Sequence, residues 1–572
     1  MSNIKGCIYF ANKLVALNEN DKANNSITHQ SGKLYLIGSG LIETFCYSFS
    51  YKASLVKTIS DNASWSWMVC GIGIMDGSRF IQKAEWQQIL CQDEVKLDNI
   101  DGHWVIFRWK DNIFEFYNDP FELRKLYWKK ENDRIIFSTQ LIDIIELSEN
   151  QEFSFQNYAG FHFYKNSFGN ESILSDVKRL GVNGVLRIID DKVFHKYTHW
   201  NIEKTSEKPF CLEQLRTISN INFPSRQKPV LLLSGGMDSR TVLAMQNENP
   251  HLLTLGDSHN PDVKIAKMIA EKLKIPLQHE EYKVPTTIEE KEAIFGSFKK
   301  FVLAEFPGFM NYSKIFEDLN QKGFWVIDGG RGEVLRHGST RNILFFGQNF
   351  IKNNDFISLS KLLTTKQYPC FEQHLEREMK KWAEIEFISA MESMQKGLNI
   401  YDWITLLQIR YRVKNCPMNS QAAHDNIIPS YMPLLQPSII RALQSYPNKK
   451  RINNRLNSLI IKKFEPILST VPIERFDTIT PYFFKNSVVL SKTYACFYHK
   501  IKKNKDKYYD LLMLSLKEIV LDRISSNEVK NCGWYDTKKI IELTEKYYKQ
   551  EFTDSKFLYN WLQIDFWREA LS

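Results

Sequence analysis

The segment Pro229-Val-Leu-Leu-Leu-Ser-Gly-Gly-Met-Asp-Ser-Arg-Thr-Val-Leu-Ala244 constrains this chain more than any other. Residues 229–233 form an apolar run with the length of a buried strand, and from Ser239 onward the sequence reads as a helix. Between them Ser234, Gly235, Gly236, Asp238 and Ser239 make a turn with little side-chain bulk. Such a turn lets backbone N–H groups and two hydroxyls converge on an anion at a helix N-terminus, where the helix dipole adds to the attraction. The spacing is neither the Gly-x-x-x-x-Gly-Lys of one phosphate loop nor the Gly-x-Gly-x-x-Gly of dinucleotide folds. A Gly-Gly turn between strand and helix also arises as plain geometry.

The rhythm around this loop predicts a parallel sheet. Residues 251–255 read as a second strand, 262–273 as an amphipathic helix, 275–282 as a third strand, and 323–327 as a fourth that runs into a glycine-rich turn. Strands alternating with helices build a parallel sheet covered on both faces, with its ligand at the C-terminal strand ends. Beyond residue 340 the chain reads as helical, closing on Phe557-Leu-Tyr-Asn-Trp-Leu-Gln-Ile-Asp-Phe-Trp567, whose aromatic spacing suits a helix docked on a core. The first 200 residues differ. Short alternating apolar stretches at 33–37, 104–109, 113–117, 135–138 and 184–189 are parted by Asp111-Asn112, Asn118-Asp119-Pro120, Asn132-Asp133 and Asp190-Asp191, a layered antiparallel pattern.

At 572 residues the chain exceeds one core. The polar stretch 203–209 and the prolines at 224 and 229 mark the boundary, giving a β domain at 1–203, a linker at 204–228 and a second domain at 229–572. No apolar run is long enough to cross a bilayer, and the N-terminus has no charged-then-apolar signal pattern. Nine scattered cysteines without a Cys-x-x-Cys pair read as reduced thiols of a cytoplasmic protein with no zinc site. The net charge of +9 is modest, and the basic clusters at 448–451 and 500–507 read as solvated helix surface, with no nucleic-acid partner expected.

Three separated segments share an order and spacing: the loop at Ser234, Val326-Ile-Asp-Gly-Gly-Arg-Gly-Glu-Val-Leu-Arg-His-Gly338, and Ile428-Pro-Ser-Tyr-Met-Pro-Leu-Leu-Gln-Pro-Ser-Ile439. Together they resemble the PP-loop synthetase domain of the asparagine synthetases and their relatives, β-lactam synthetase and the lasso-peptide macrolactam cyclases. The N-terminal segments 102–110, 118–128 and 137–141 look like that family's class II amidotransferase domain. The resemblance implies a two-domain α/β and α+β chain: an antiparallel β-sandwich of the Ntn type, then a parallel-sheet ATP pyrophosphatase domain with a helical C-terminal part. Family amidotransferases use an N-terminal cysteine as nucleophile; here position 2 is Ser2, and Cys7 lies inside what reads as the first strand. A glutaminase function is therefore expected to be lost, with Cys7 a buried structural thiol.

The family's chemistry joins a carboxylate to an amine through an acyl-adenylate, with ATP leaving as AMP and pyrophosphate. On that resemblance Ser234, Gly235, Gly236 and Ser239 supply phosphate donors, Leu255 and Gly256 receive adenine, and Gly329 and Glu333 belong to a second motif at which Asp238 and Glu333 carry Mg²⁺. Glu333 stands where the family has Asp, Val334 where it has Glu, Arg331 at its second glycine, and Gly330 where many asparagine synthetases place a substrate-contacting Glu. A late lysine that stabilises adenylation is sought at Lys462 or Lys463, with Arg475 nearby, and Glu305 matches a turn beside the site. Asp262 reads equally as a helix-start carboxylate or as part of the site; His424 and Asp425 read as structural ahead of the alternative that they face the acceptor pocket. The expected function is an AMP-forming amide ligase using ATP and Mg²⁺, with a sugar acid or a peptide as carboxylate substrate and ammonia or an amine as donor. A second copy of the chain or a pathway protein is the partner protein to be sought. The alternatives are a glutamine-dependent asparagine synthetase, against which Ser2, Gly330 and Val334 count, and a catalytically silent nucleotide-binding homologue.

Overall fold

The computed structural model describes residues 4–9, 27–28, 34–37, 42–44, 47–49, 65–75, 77, 79–203, 211–221, 228–300, 308–330, 332–336, 340, 342–365, 370–415, 424–425, 427–501, 507–551 and 555–571. Glu305, Arg331 and Ser2 lie outside them.

The N-terminal unit is a pair of six-stranded antiparallel sheets. One runs Lys178–Arg179, Tyr127–Glu131, Arg134–Ser138, Lys5–Tyr9, Leu34–Ile37 and Ile27–Thr28; the other runs Lys192–Lys196, Val185–Ile189, Ile113–Asn118, Ile100–Lys110, Ser66–Met75 and Arg79–Phe80. The period-2 pattern explains how they close on each other. Val105, Phe107, Trp109, Phe114 and Phe116 from the second sheet meet Ile8, Trp128, Ile135 and Phe137 from the first in one apolar layer. Phe107 stacks on Phe116 with ring centres 4.3 Å apart. The turn residues Asp111, Asn132 and Asp190 adopt positive φ, a conformation that short polar side chains tolerate. Cys7 is mid-strand, paired on both sides with Ile136 and Tyr35, and only 1% exposed. That is the buried structural thiol expected from its apolar surroundings.

The C-terminal unit is built on five parallel strands, β1 (Lys228–Leu232), β2 (His251–Leu255), β3 (Leu277–Glu280), β4 (Phe324–Asp328) and β5 (Ser430–Tyr431), in the order β3-β2-β1-β4-β5. Burial on both faces explains the apolar runs of the central strands β2, β1 and β4, while the edge strand β3, Leu-Gln-His-Glu, is partly exposed. Val230, Leu253 and Val326 pack with Phe316 and Leu319 on one side, and Leu231, Leu252 and Ile327 with Val242, Ile265 and Ile269 on the other. The short fifth strand, hidden in sequence within the 428–439 segment, extends the sheet beyond β4. Helices dominate after residue 340, and the terminal helix Lys556–Ala570 buries Trp561 and Trp567. Among the described residues no helix is long and apolar enough to cross a membrane.

Two local readings change. The segment 204–228, read as linker, contains the helix Leu212–Ser219, which buries Leu215 and Ile218. Arg451, read with its cluster as solvated, is 3% exposed and sits 3.7 Å from Asp402; a carboxylate on a distant helix draws it inward.

A buried polar seam joins the two units. The Asp119 carboxylate accepts from the N–H groups of Phe121, Leu123 and Arg124 at 3.0, 2.9 and 2.9 Å, curling the chain so that Glu122 adopts positive φ. Glu122, with no exposed side-chain surface, then meets Lys414 at 2.8 Å and Arg179 at 3.4 Å. Nearby, Asp425 pairs with His103 at 3.3 Å, and Gln436 accepts from the Gly102 N–H at 2.7 Å.

Candidate functional site

The strand order reverses between β1 and β4, and the loops that leave their C-terminal ends flank the crevice such a reversal opens. The first is the Ser234 loop, which enters helix α1 (Met237–Met245) with Gly236 as its N-cap in extended conformation. The Ser234 and Ser239 hydroxyls lie 3.1 Å apart; Ser234 N–H donates to Ser239 Oγ at 3.2 Å and Gly236 N–H to Ser234 Oγ at 3.2 Å. The second loop follows β4 and leads into the four-residue helix α3 (Glu333–Arg336).

Two glycines bring these loops into contact. A Cβ on Gly329 would sit 2.4 Å from the Ser239 Cα, and one on Gly332 would sit 2.5 Å from the Asp238 carboxyl carbon. A side chain at 329 would collide with the α1 backbone, and one at 332 would push the Asp238 carboxylate aside. Glu333, directly after Gly332, therefore starts α3 beside Asp238. Leu255 ends β2, and Gly256 after it donates its N–H to Glu280 O at 3.0 Å while its carbonyl accepts from His279 Nε2 at 2.9 Å.

The charges at the loop are mostly acidic. Asp238 is held by Arg336, whose Nε and Nη2 donate to Oδ1 and Oδ2 at 3.1 and 2.8 Å. Asn457, on helix α4 (Arg455–Phe464), adds a bond from Nδ2 to Asp238 Oδ1 at 3.3 Å and another to Thr241 Oγ1 at 3.0 Å. Burial pushes the Arg336 guanidinium down, but the carboxylates of Asp238, Glu333 and Glu474 outweigh it and hold its pKa above the usual value. Asp262 opens helix α2 (Pro261–Leu273) and accepts the Gly235 N–H at 2.7 Å. Gly235 was expected to offer that N–H to an anion; in this structure the half-buried Asp262 carboxylate has it. Glu474 reaches the same loop, its N–H donating to Gly235 O at 2.9 Å. The strut behind it is Arg240, fully buried on α1, whose guanidinium donates to the carbonyls of Leu468, Val471 and Pro472 at 3.0, 2.9 and 2.6 Å.

Burial and the neighbouring Asp262 carboxylate push Glu474 up to about 7. A carboxyl whose folded pKa lies above its ordinary 4.5 keeps its proton better in the folded chain, so its contribution to stability is complete below about 4.5 and is lost as pH rises toward 7. Glu474→Gln is thus expected to raise the thermal midpoint relative to wild type at pH 8 and to leave it little changed at pH 4.5. A midpoint shift that is the same at both values would contradict this.

The sequence-derived residues do not all converge. Ser234, Gly235, Gly236, Asp238, Ser239, Gly329 and Glu333 form one constellation. Lys462 and Lys463 are exposed at the last turn of α4, and Lys463 pairs with Glu213 at 2.8 Å. Arg475 is engaged with Ser487 O at 3.3 Å and Ser491 Oγ at 3.1 Å. Arg336, Asn457, Arg240 and Glu474 were not foreseen. For Mg²⁺ the local chemistry fits: two carboxylates on touching loops suit an ion that binds through one or two carboxylates and completes its shell with phosphate oxygens and water. Among the described residues no cluster of three or more His, Cys, Asp or Glu side chains has metal-ligand spacing.

No family model matches the chain, and no curated protein matches it. Among solved structures it is similar to the glutamine phosphoribosylpyrophosphate amidotransferase of B. subtilis complexed with ADP and GMP, at 11% identity and a TM-score of 0.20 over 57% of this chain and 75% of that one. A structure of the allosteric regulatory enzyme of purine biosynthesis aligns at 11% identity and a TM-score of 0.22, over 60% of this chain and 71% of that one. At such scores the likeness carries no argument, and the fold stands on the strand order and register given above.

Proposed function

We propose that this chain is an ATP-dependent ligase that activates a carboxylate as its acyl-adenylate and passes it to ammonia or an amine. One observation carries the reading: the Ser234–Ser239 loop meets the Gly329–Glu333 loop where the order of the parallel strands reverses, with Asp238 and Glu333 on the touching edges. Anion donors, a helix N-terminus and two carboxylates at one strand-end crevice suit a nucleotide triphosphate and its cation. Asp238 and Glu333 are the residues to hold Mg²⁺, which bound there supplies positive charge against the phosphates. Ser234, Gly236 and Ser239 exchange their mutual hydrogen bonds for phosphate oxygens, and Leu255 and Gly256 at the end of β2 lie on the side for adenine. In the first step a substrate carboxylate oxygen bonds to the α-phosphorus, and pyrophosphate leaves with the electron pair of the broken P–O bond. In the second, an amine adds to the acyl carbon, AMP departs and the amine loses a proton.

The amine arrives as such. Cys7 sits mid-strand, and the space between the N-terminal sheets is filled by Phe107, Phe116, Phe137 and Trp128, which argues for a scaffold rather than a glutaminase. The carboxylate is a sugar acid or a peptide. Incubation with ATP, Mg²⁺, ammonium or hydroxylamine and pools of these two acid classes is expected to release AMP in proportion to amide or hydroxamate. Cys7→Ser is expected to leave this ammonium-dependent activity in place. ATP bound tightly with no AMP from any pool would instead favour a silent nucleotide-binding protein.

A further inference from the structure

An ATP loop has to bring phosphates against its own carboxylates, and here the surplus of acid is large. Asp238, Glu333 and Asp262 act at or beside the Ser234 loop, and Glu474, which keeps its proton up to about 7, adds to them as it ionises. Cations must offset them before a polyphosphate can approach. Lys462 and Lys463 do not serve, since both are exposed at the far end of α4. Among the described arginines near the loop, Arg240 is fully buried and donates to three carbonyls, and Arg475 is engaged with Ser487 and Ser491. Arg336 is different. Its side chain keeps 23% of its surface exposed, and its fork meets both oxygens of the Asp238 carboxylate.

We propose that Arg336 is the cation that receives the phosphates: it clamps Asp238 in the arrangement seen here and moves its two-pronged hydrogen bonding onto phosphate oxygens when nucleotide and its cation claim that carboxylate. The inference rests on the ligase reading above and adds a residue and an exchange to it. The geometry permits the move because a guanidinium fork that matches a carboxylate matches two phosphate oxygens equally well. Proximity favours it too, since Gly332 brings the backbone that carries Arg336 against Asp238. As the substrate oxygen bonds to the α-phosphorus and the bridging oxygen leaves on pyrophosphate, Arg336 offsets the charge that grows on the departing group.

The exchange is tested by calorimetric titration of the full chain with inorganic pyrophosphate, once with Mg²⁺ and once in EDTA. With Mg²⁺, Arg336→Ala is expected to weaken binding by about tenfold or more, and Arg336→Lys by less, since lysine keeps the charge but loses the fork. In EDTA, Asp238→Asn is expected to bind pyrophosphate more tightly than wild type, because the arginine is released. That gain must vanish in the Asp238→Asn/Arg336→Ala double variant. Circular dichroism establishes that each variant is folded. Equal pyrophosphate binding by wild type and a folded Arg336→Ala chain overturns the role of Arg336 and leaves the ligase reading standing. Wild type that binds neither pyrophosphate nor ATP overturns both.

Discussion

Asp238→Asn is expected to lower the rate of ATP–pyrophosphate exchange on the order of a hundredfold or more, the scale of losing one preorganised charge-stabilising group. The substitution keeps the shape of the side chain, so the close contact with Gly332 survives. It removes the negative charge that Arg336 grips through both oxygens and that the proposed Mg²⁺ site requires. The structural cost should be small by comparison, about 1–3 kcal/mol for a charge-assisted contact at a half-buried site. The two effects separate in one pair of measurements, exchange rate and urea midpoint. A variant that loses stability and activity in proportion would make Asp238 a structural residue only.

Lys414→Met is expected to destabilise the chain by roughly 3–5 kcal/mol, read as a lower urea midpoint. Glu122 has no exposed side-chain surface and ion-pairs with Lys414 and Arg179 at the seam between the units. Burial pushes its carboxyl up, but Arg179 and Lys414 outweigh burial and hold its pKa below the usual range, so it is charged in the folded chain. Removing Lys414 leaves that charge in a buried interface with only Arg179 and Lys125 to offset it. The Glu122→Gln/Lys414→Met double variant should recover part of the loss, because the unpaired carboxylate is gone while Arg179 keeps its bond to the Gly169 carbonyl at 2.7 Å. A single variant with an unchanged midpoint would show that water reaches Glu122.

Much of this architecture was legible because it rests on local pattern. The strands around the Ser234 loop are runs of apolar residues buried on both faces, and the N-terminal strands alternate with period two; both signals survive in a single sequence. The loop's geometry was legible as well, since a strand, two glycines and a helix start lie within ten residues. What escaped depends on contacts between distant segments. Helix α4 offers two lysines in sequence, yet its residue at the site is Asn457, on the face that buries Leu456, Ile460 and Ile461. At 100° per residue Lys462 and Lys463 point about 140° and about 120° away from Asn457 on opposite sides, toward solvent. Arg336 gives no local signal, because only the approach of Gly329 and Gly332 to α1 brings its four-residue helix to Asp238. Asp262 looked equally like a helix-start carboxylate; Asn260 fills the capping place, its Oδ1 accepting the Asp262 N–H at 2.9 Å, so the Asp262 carboxylate is left to the loop.

The central claim is that this crevice adenylates a carboxylate, and ATP–pyrophosphate exchange tests it most directly. Purified chain with ATP, Mg²⁺ and labelled pyrophosphate is assayed against pools of sugar acids and peptides. The account predicts exchange that depends on one acid pool and disappears in Asp238→Asn. Exchange that persists in that variant, or ATP binding unchanged by it with no exchange from any pool, would contradict the account.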